Sequence, residues 1–141
     1  MTDNTPKLPL TGGCHCGQVR YEISALPKNT AVCHCRTCQR TAGAANLAIL
    51  FVATDSLHIT GSYQEYATSA ASGNTLYRAF CPHCGCCLFA RNSGFSGIRP
   101  VTAATLDDPA WFKPKLHMWV SEAQPWDIMD PELPKFFGNP W

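Results

Sequence analysis

From Gln18 the chain alternates, placing Val19, Tyr21 and Ile23 on one face. That two-residue period is the period of a half-buried strand. A turn at Pro27-Lys28-Asn29 follows. Further β-rich segments fall at 46–53, 57–60, 63–68, 75–80, 86–90, 98–104 and 115–120, separated by Gly, Asp, Ser, Asn or Pro. Helix is scarce. Gln39-Arg40-Thr41-Ala42-Gly43 reads as a short helical turn ended by glycine. Asp108-Pro109-Ala110-Trp111 reads as one more, with proline at a first helical position. The pattern predicts a mainly β domain with little helix. Its expected bounds are a flexible arm at 1–11, the domain at 12–126 and a tail at 127–141. Prolines at 125, 131, 134 and 140 exclude regular structure after Glu122. Trp126, Phe136 and Phe137 are expected to anchor that tail over the domain.

A chain of 141 residues, 45% hydrophobic and 15% charged, fits one globular domain. The core is modest for so many strands, and metal crosslinks are the usual supplement when apolar burial is thin. A formal net charge of +1 without any Lys/Arg run gives no electrostatic hold on nucleic acid or acidic lipid. No apolar run approaches the ~20 residues that span a bilayer, and the first residues do not resemble a secretory signal. These features predict a cytoplasmic protein with neither nucleic acid nor membrane as partner. In a reducing compartment paired thiols read as metal or redox centres, and the odd total of nine cysteines argues against a complete disulfide framework.

Seven of those cysteines stand in three clusters: Cys14-His15-Cys16, Cys33-His34-Cys35-Arg36-Thr37-Cys38 and Cys81-Pro82-His83-Cys84. Thiolates one or two residues apart converge on one soft cation, and zinc is the metal they favour. Cys14-x-Cys16 with Cys81-x-x-Cys84 makes four ligands, a closed tetrahedral site with no place for substrate. Joining residues 14–16 to 81–84 would close most of the domain into one loop, which is a folding role. The middle cluster offers three sulfurs, the pattern of a zinc with one exchangeable position. A helical turn starting near Arg36 would aim N–H groups at these thiolates. Two other readings stay open. Cys86, Cys87 or a histidine could close the site as fourth ligand, or Cys35-x-x-Cys38 could be a redox pair, which lacks its usual βαβ context.

Gly13-Cys14-His15-Cys16-Gly17-x-Val19-x-Tyr21, then Cys33-His34-Cys35-x-x-Cys38-x-Arg40-x-x-Gly43, then Ser72-Gly73-x-x-x-x-Arg78-x-Phe80-Cys81-x-x-Cys84-Gly85 follow one another in a known order and spacing. The chain resembles the glutathione-dependent formaldehyde-activating enzyme family, which also contains centromere protein V. The likeness runs from Gly12 to Trp126. It implies a β-tent of small antiparallel sheets and two zinc ions per chain. It also implies a structural zinc on Cys14, Cys16, Cys81 and Cys84, and a second, open zinc on Cys33, Cys35 and Cys38, the catalytic trio. The implied activity is that of a carbon–sulfur lyase, adding the thiol of glutathione reversibly to formaldehyde. A related carbonyl substrate on the same scaffold is one alternative. A zinc-stabilised binding module is another, although no long basic extension is present to recruit a partner. Cys86 and Cys87 depart from the small or proline residues common in the family and are read as spectators. Nothing in the sequence speaks to oligomeric state.

Five histidines and four arginines have weaker claims. His15, His34 and His83 lie between or beside ligands and are expected to point away from them. His58 and His117 read as structural, with His117 the better acid/base candidate. Arg40, Arg78, Arg91 and Arg99 are candidate partners for substrate carboxylates. The segment 68–74 reads as a plain turn, with an amide-rich binding loop as the alternative.

Overall fold

The computed structural model describes residues 4–141; Met1, Thr2 and Asp3 of the expected arm lie outside the described residues. Its strands are β1 (Leu10–Gly13), β2 (Arg20–Ile23), β3 (Asn29–Cys33), β4 (Leu47–Ala53), β5 (Leu57–Thr60), β6 (Gln64–Ser69), β7 (Thr75–Phe80), β8 (Cys87–Asn92), β9 (Ile98–Thr102) and β10 (His117–Met118). The α-helix among the described residues is α1 (Arg36–Ala42). One sheet has the order β1-β2-β5, the other β10-β3-β4-β9-β8-β7-β6, and every pairing is antiparallel except β10 with β3. The mainly β expectation holds. No helix among the described residues is long and apolar enough to cross a membrane.

The alternation read in β2 is present, with Tyr21 and Ile23 buried and Arg20 and Glu22 exposed. Two strands lie outside the segments read as β-rich. β1 begins at Leu10, inside the segment expected to be an arm, and pairs with β2 from Leu10↔Ile23 to Gly13↔Arg20. β3 is buried from Thr30 to Cys33. A strand covered on both faces shows no period of two.

Three local expectations are corrected. Asp108–Trp111 is not helical. Phe112 N–H donates to the Pro109 carbonyl at 3.0 Å, and the Asp108 carboxylate takes the Ala110 N–H at 3.1 Å. Pro114 then disfavours helical geometry at Lys113. Of 115–120, only His117–Met118 is strand. Trp119 adopts φ 57°, a left-handed conformation rare for a bulky residue, and turns the chain out of the sheet.

The tail aromatics are not the expected anchors, because Trp126 and Phe137 are 67% and 79% exposed. Main-chain bonds hold the tail instead. His117 N–H donates to Pro134 C=O (2.9 Å), Phe136 N–H to His117 C=O (2.9 Å) and Trp119 N–H to Gly138 C=O (3.1 Å). The physical reason is that β10 is an edge strand whose outer polar groups need partners. Trp141 sets its ring edge-on to Phe51 at 5.2 Å.

At β4 the seven-stranded sheet is covered on both faces, whereas β6 at its edge is largely exposed. From β4, Leu50 and Val52 enter a main core with Tyr21, Leu88, Phe89 and Val101. The intervening Ile49 enters a second, smaller core with Ala31, Leu116, Met118, Cys33 and Cys38, against which Phe51 packs. Alternation along one strand thus feeds two compartments, and each contains cysteines.

Two glycines mark close approaches between the sheets and loops. A Cβ at Gly12 would meet the Tyr21 ring and the Thr105 carbonyl, and one at Gly61, where φ is +93°, would meet the Gln18 carbonyl. Gly61→Ala is therefore expected to lower stability by about 1–3 kcal/mol, read as a lower urea midpoint at unchanged slope. Gly97→Ala, which meets open space without a positive φ, should stay within about 0.5 kcal/mol of the parent.

Candidate metal centres

Cys14 follows β1 and Cys81 follows β7. Behind each the backbone reverses through a glycine with positive φ, Gly17 (+83°) and Gly85 (+76°). Gly17 N–H bonds back to Cys14 C=O at 3.2 Å, and Gly85 N–H to Cys81 C=O at 2.7 Å. The two turns face one another and bring together the sulfurs of Cys14, Cys16, Cys81 and Cys84, all within 4.8 Å of one another. Cys16 Sγ lies 3.5 Å from Cys14 Sγ and 3.7 Å from Cys81 Sγ. Four sulfurs bound to one zinc sit about 3.8 Å apart, the edge of a tetrahedron with Zn–S near 2.3 Å. A disulfide needs about 2.05 Å, and all nine cysteines are free. The foursome fits a closed zinc site.

The middle trio is built differently. Cys33 ends β3, Cys35 caps α1, and Cys38 lies in the first turn of that helix. Cys35 has extended geometry (φ −64°, ψ 150°), and its sulfur accepts the Cys38 N–H at 3.3 Å, as a capping side chain does. Gly43 closes the helix in left-handed geometry. The three sulfurs lie within 4.8 Å of one another. Cys33 and Cys38 are buried, while Cys35 is partly exposed, so solvent reaches the group on its side. No fourth Cys, His, Asp or Glu among the described residues joins the trio within that distance. Of the candidate fourth ligands, Cys87 Sγ donates to Thr41 C=O at 3.2 Å, and Cys86 packs against the main core.

In the metal-free chain each group shares few negative charges among many thiols. Burial raises the Cys14 thiol, but donation from Val19 N–H and from the Cys16, Cys81 and Cys84 thiols outweighs it and brings Cys14 to about 6. Donation from the Cys33 and Cys38 thiols, with Cys38 N–H and the Arg78 charge behind them, pulls Cys35 far down. Cys33 is pushed far up by its bonds to Cys35 and Cys38. Both groups are poised to exchange protons for a cation.

His34 separates two trio cysteines and turns its fully buried ring away from the sulfurs. Its Nδ1 lies 2.7 Å from Asp127 Oδ2, and its Nε2 lies 2.8 Å from His117 Nδ1. Burial lowers the pKa of His117, and the charges of His34 and Lys135 add to that. Gln39 ties the helix to the same region, its amide donating to His34 C=O (2.6 Å) and Glu122 C=O (2.9 Å). Asp127 and Gln39 were invisible as site residues in the sequence. The only available signal for Gln39 was its place in the predicted helical turn. His15, His58 and His83 are exposed.

The arginines sort cleanly. Arg91 makes two bonds to Glu65 and stacks on Tyr77, Arg99 bonds Ala90 C=O, and Arg40 is exposed. Arg78 alone of the four reaches the trio, with Nη2 3.7 Å from Cys38 Sγ. Three strands lie between β3 and β7, about 19 Å on a flat sheet at ~4.8 Å per strand. The contact therefore requires α1 to lie across the sheet face, as the Cys87–Thr41 bond at its far end also shows. The segment 68–74 is a hairpin turn, with Ala70 N–H to Asn74 C=O at 2.8 Å and Gly73 at φ +89°.

The sequence profile of the family described as glutathione-dependent formaldehyde-activating enzyme matches residues 9–122. The chain belongs to the glutathione-dependent formaldehyde-activating enzyme family. A Halomonas elongata protein provisionally named a glutathione-dependent formaldehyde-activating enzyme is 28% identical over 131 residues, covering 83% of this chain and 78% of that one. The fold is also similar to a crystal structure of a Rhodobacter sphaeroides protein, with TM-score 0.56 and 20% identity over 89% of this chain and 98% of that one. In this family member all seven clustered cysteines fall within the matched residues, and so does Arg78.

The two groups make different predictions. If each group holds a zinc, Cys81→Ser is expected to lose one ion and about 4 kcal/mol or more of stability, because the foursome lines the main core. Cys35→Ser should lose the other zinc and leave the melting temperature within a few degrees; elemental analysis with thermal unfolding checks both. Proton exchange sets the sign of the pH effect. Cation-bound thiolates titrate below free thiols, so affinity is highest at alkaline pH and falls as protons compete. A pH-stat titration of zinc-free protein should record proton release, and affinity independent of pH between about 6 and 8 would contradict four thiolate donors.

Proposed function

We propose that this family member is a zinc-dependent carbon–sulfur lyase that adds the thiol of glutathione reversibly to formaldehyde, giving S-(hydroxymethyl)glutathione. Cys14, Cys16, Cys81 and Cys84 would hold a structural zinc, and Cys33, Cys35 and Cys38 a second one. The observation that carries the reading is the trio itself: three sulfurs within 4.8 Å, no fourth donor among the described residues, and one partly exposed member. Bound there, zinc supplies a soft Lewis acid that lowers the pKa of an incoming thiol.

The chain's own residues then have defined tasks. Cys33 and Cys38 are fixed by the second core and by α1, so the trio keeps its shape without a ligand. Gln39 and Asp127 fasten the Cys33–Cys35 bend to the segment after β10. Arg78 contributes a cation beside Cys38, where a thiolate sulfur would enter. In the reaction the sulfur electron pair forms the new S–C bond, and the carbonyl π pair moves to oxygen. The proton given up by the thiol ends on that oxygen. Thiol and aldehyde sum to a hemithioacetal with no change of oxidation state. A small thiol of this kind is abundant in a reducing cytoplasm, which fits nine unpaired cysteines.

Because thiols and formaldehyde combine spontaneously, catalysis is measured as exchange. Carbon-13 exchange spectroscopy of formaldehyde with glutathione should show interconversion accelerated in proportion to enzyme. Cys35→Ser should remove at least about 100-fold of that acceleration at unchanged fold. An intact two-zinc wild type with no acceleration would instead favour a zinc-stabilised binding module.

A further inference from the structure

The guanidinium of Arg78 is a cation without a carboxylate. Arg20 pairs with Asp107 and Arg91 with Glu65, but among the described residues no acidic side chain lies within ion-pair distance of Arg78. Its Nη2 points to Cys38 Sγ at 3.7 Å. Its Nε is buried and has no hydrogen-bond acceptor among the described residues. A buried guanidinium N–H is rarely left without one, and this one belongs to the same guanidinium whose Nη2 reaches Cys38 Sγ.

We propose that Arg78 sets the charge of the Cys33–Cys35–Cys38 site so that its remaining position takes an anionic ligand, a thiolate, in preference to a neutral donor. The inference rests on the open-site reading given above. Three thiolates around a dication carry a net −1, which repels a second anion. Adding the Arg78 cation brings the assembly to zero, and an incoming thiolate then meets no net charge. The same guanidinium offers the orphaned Nε–H to an acceptor on the ligand. No other arginine substitutes for it. Arg36 is engaged with Gln39 Oε1, and Arg99 lies over Phe89 with its Nε on Ala90 C=O. Arg78 is thus the residue that selects the kind of ligand, while the trio supplies the place.

The test uses reduced protein carrying cobalt in place of zinc, with sulfur-to-metal charge-transfer and ligand-field bands as the readout. The closed four-sulfur site contributes bands that do not respond to added ligand. Wild type is titrated with glutathione, an anionic donor once bound, and with imidazole, a neutral one. Glutathione should add a saturable charge-transfer band. Arg78→Gln should raise the glutathione Kd at least about tenfold, the equivalent of 1.4 kcal/mol, while the imidazole Kd stays within about twofold. Arg78→Lys, which keeps the charge but not the fork, should stay within about threefold of wild type for glutathione. If Arg78→Gln does not fold, the lysine variant decides alone, and a loss beyond about tenfold there overturns the charge account. Equal weakening of both ligands, or unchanged glutathione affinity in Arg78→Gln, also overturns it. A wild type whose spectrum ignores glutathione overturns the open-site reading itself, which separates the two failures.

Discussion

Sixty-five residues separate Cys16 from Cys81, yet their sulfurs lie 3.7 Å apart. That convergence ties the two sheets together at the edge of the main core, to which Cys14 and Cys81 belong. β1 and β2 belong to one sheet and β7 to the other, and the turn after β1 meets the turn after β7 at these thiols. The core between them is built from few large side chains, chiefly Tyr21, Leu50, Leu88 and Phe89. A cation held by the four thiolates would supply a crosslink where apolar burial is limited. The same geometry explains the glycines at 17 and 85, since sulfurs two or three residues apart converge only if the backbone reverses sharply.

The second cluster lies on the other face of the seven-stranded sheet. Once the seven-stranded sheet is in place, its other face receives α1, and the helix crosses from β3 towards β7 and β8. Cys35 is at once a capping group and a candidate ligand, so the start of the helix and the shape of the trio are a single structural decision. Gln39 extends the arrangement by satisfying two carbonyls from separate segments, His34 and Glu122. The buried row Asp127–His34–His117 continues it under the β3 turn. A rigid polar scaffold therefore surrounds a site whose sulfurs have one exposed side.

How much of this could be read in the chain follows from the range of each interaction. The division of seven cysteines into four and three was legible because ligand spacing is local and chemically restrictive. β2 was legible because one face meets water. β3 was not, since burial on both faces removes the alternation that marks a strand. Leu10 looked like part of an arm because its partner, Ile23, lies beyond an intervening turn. The approach of Asp127 to His34 and of Arg78 to Cys38 joins positions far apart in sequence, and no local pattern encodes such pairs. Trp126 and Phe137 misled for the opposite reason, because aromatic character suggested burial where main-chain bonding does the holding.

That main-chain bonding has a consequence for solubility. The segment 134–138 lies along the outer rim of β10, so its amides occupy a rim that would otherwise recruit strands from neighbouring molecules. Pro134 offers no N–H on its own account, and the strip therefore makes a poor template for further growth. The end of the described chain thus serves as a selvedge, stitched to the fabric so that it does not unravel into its neighbours.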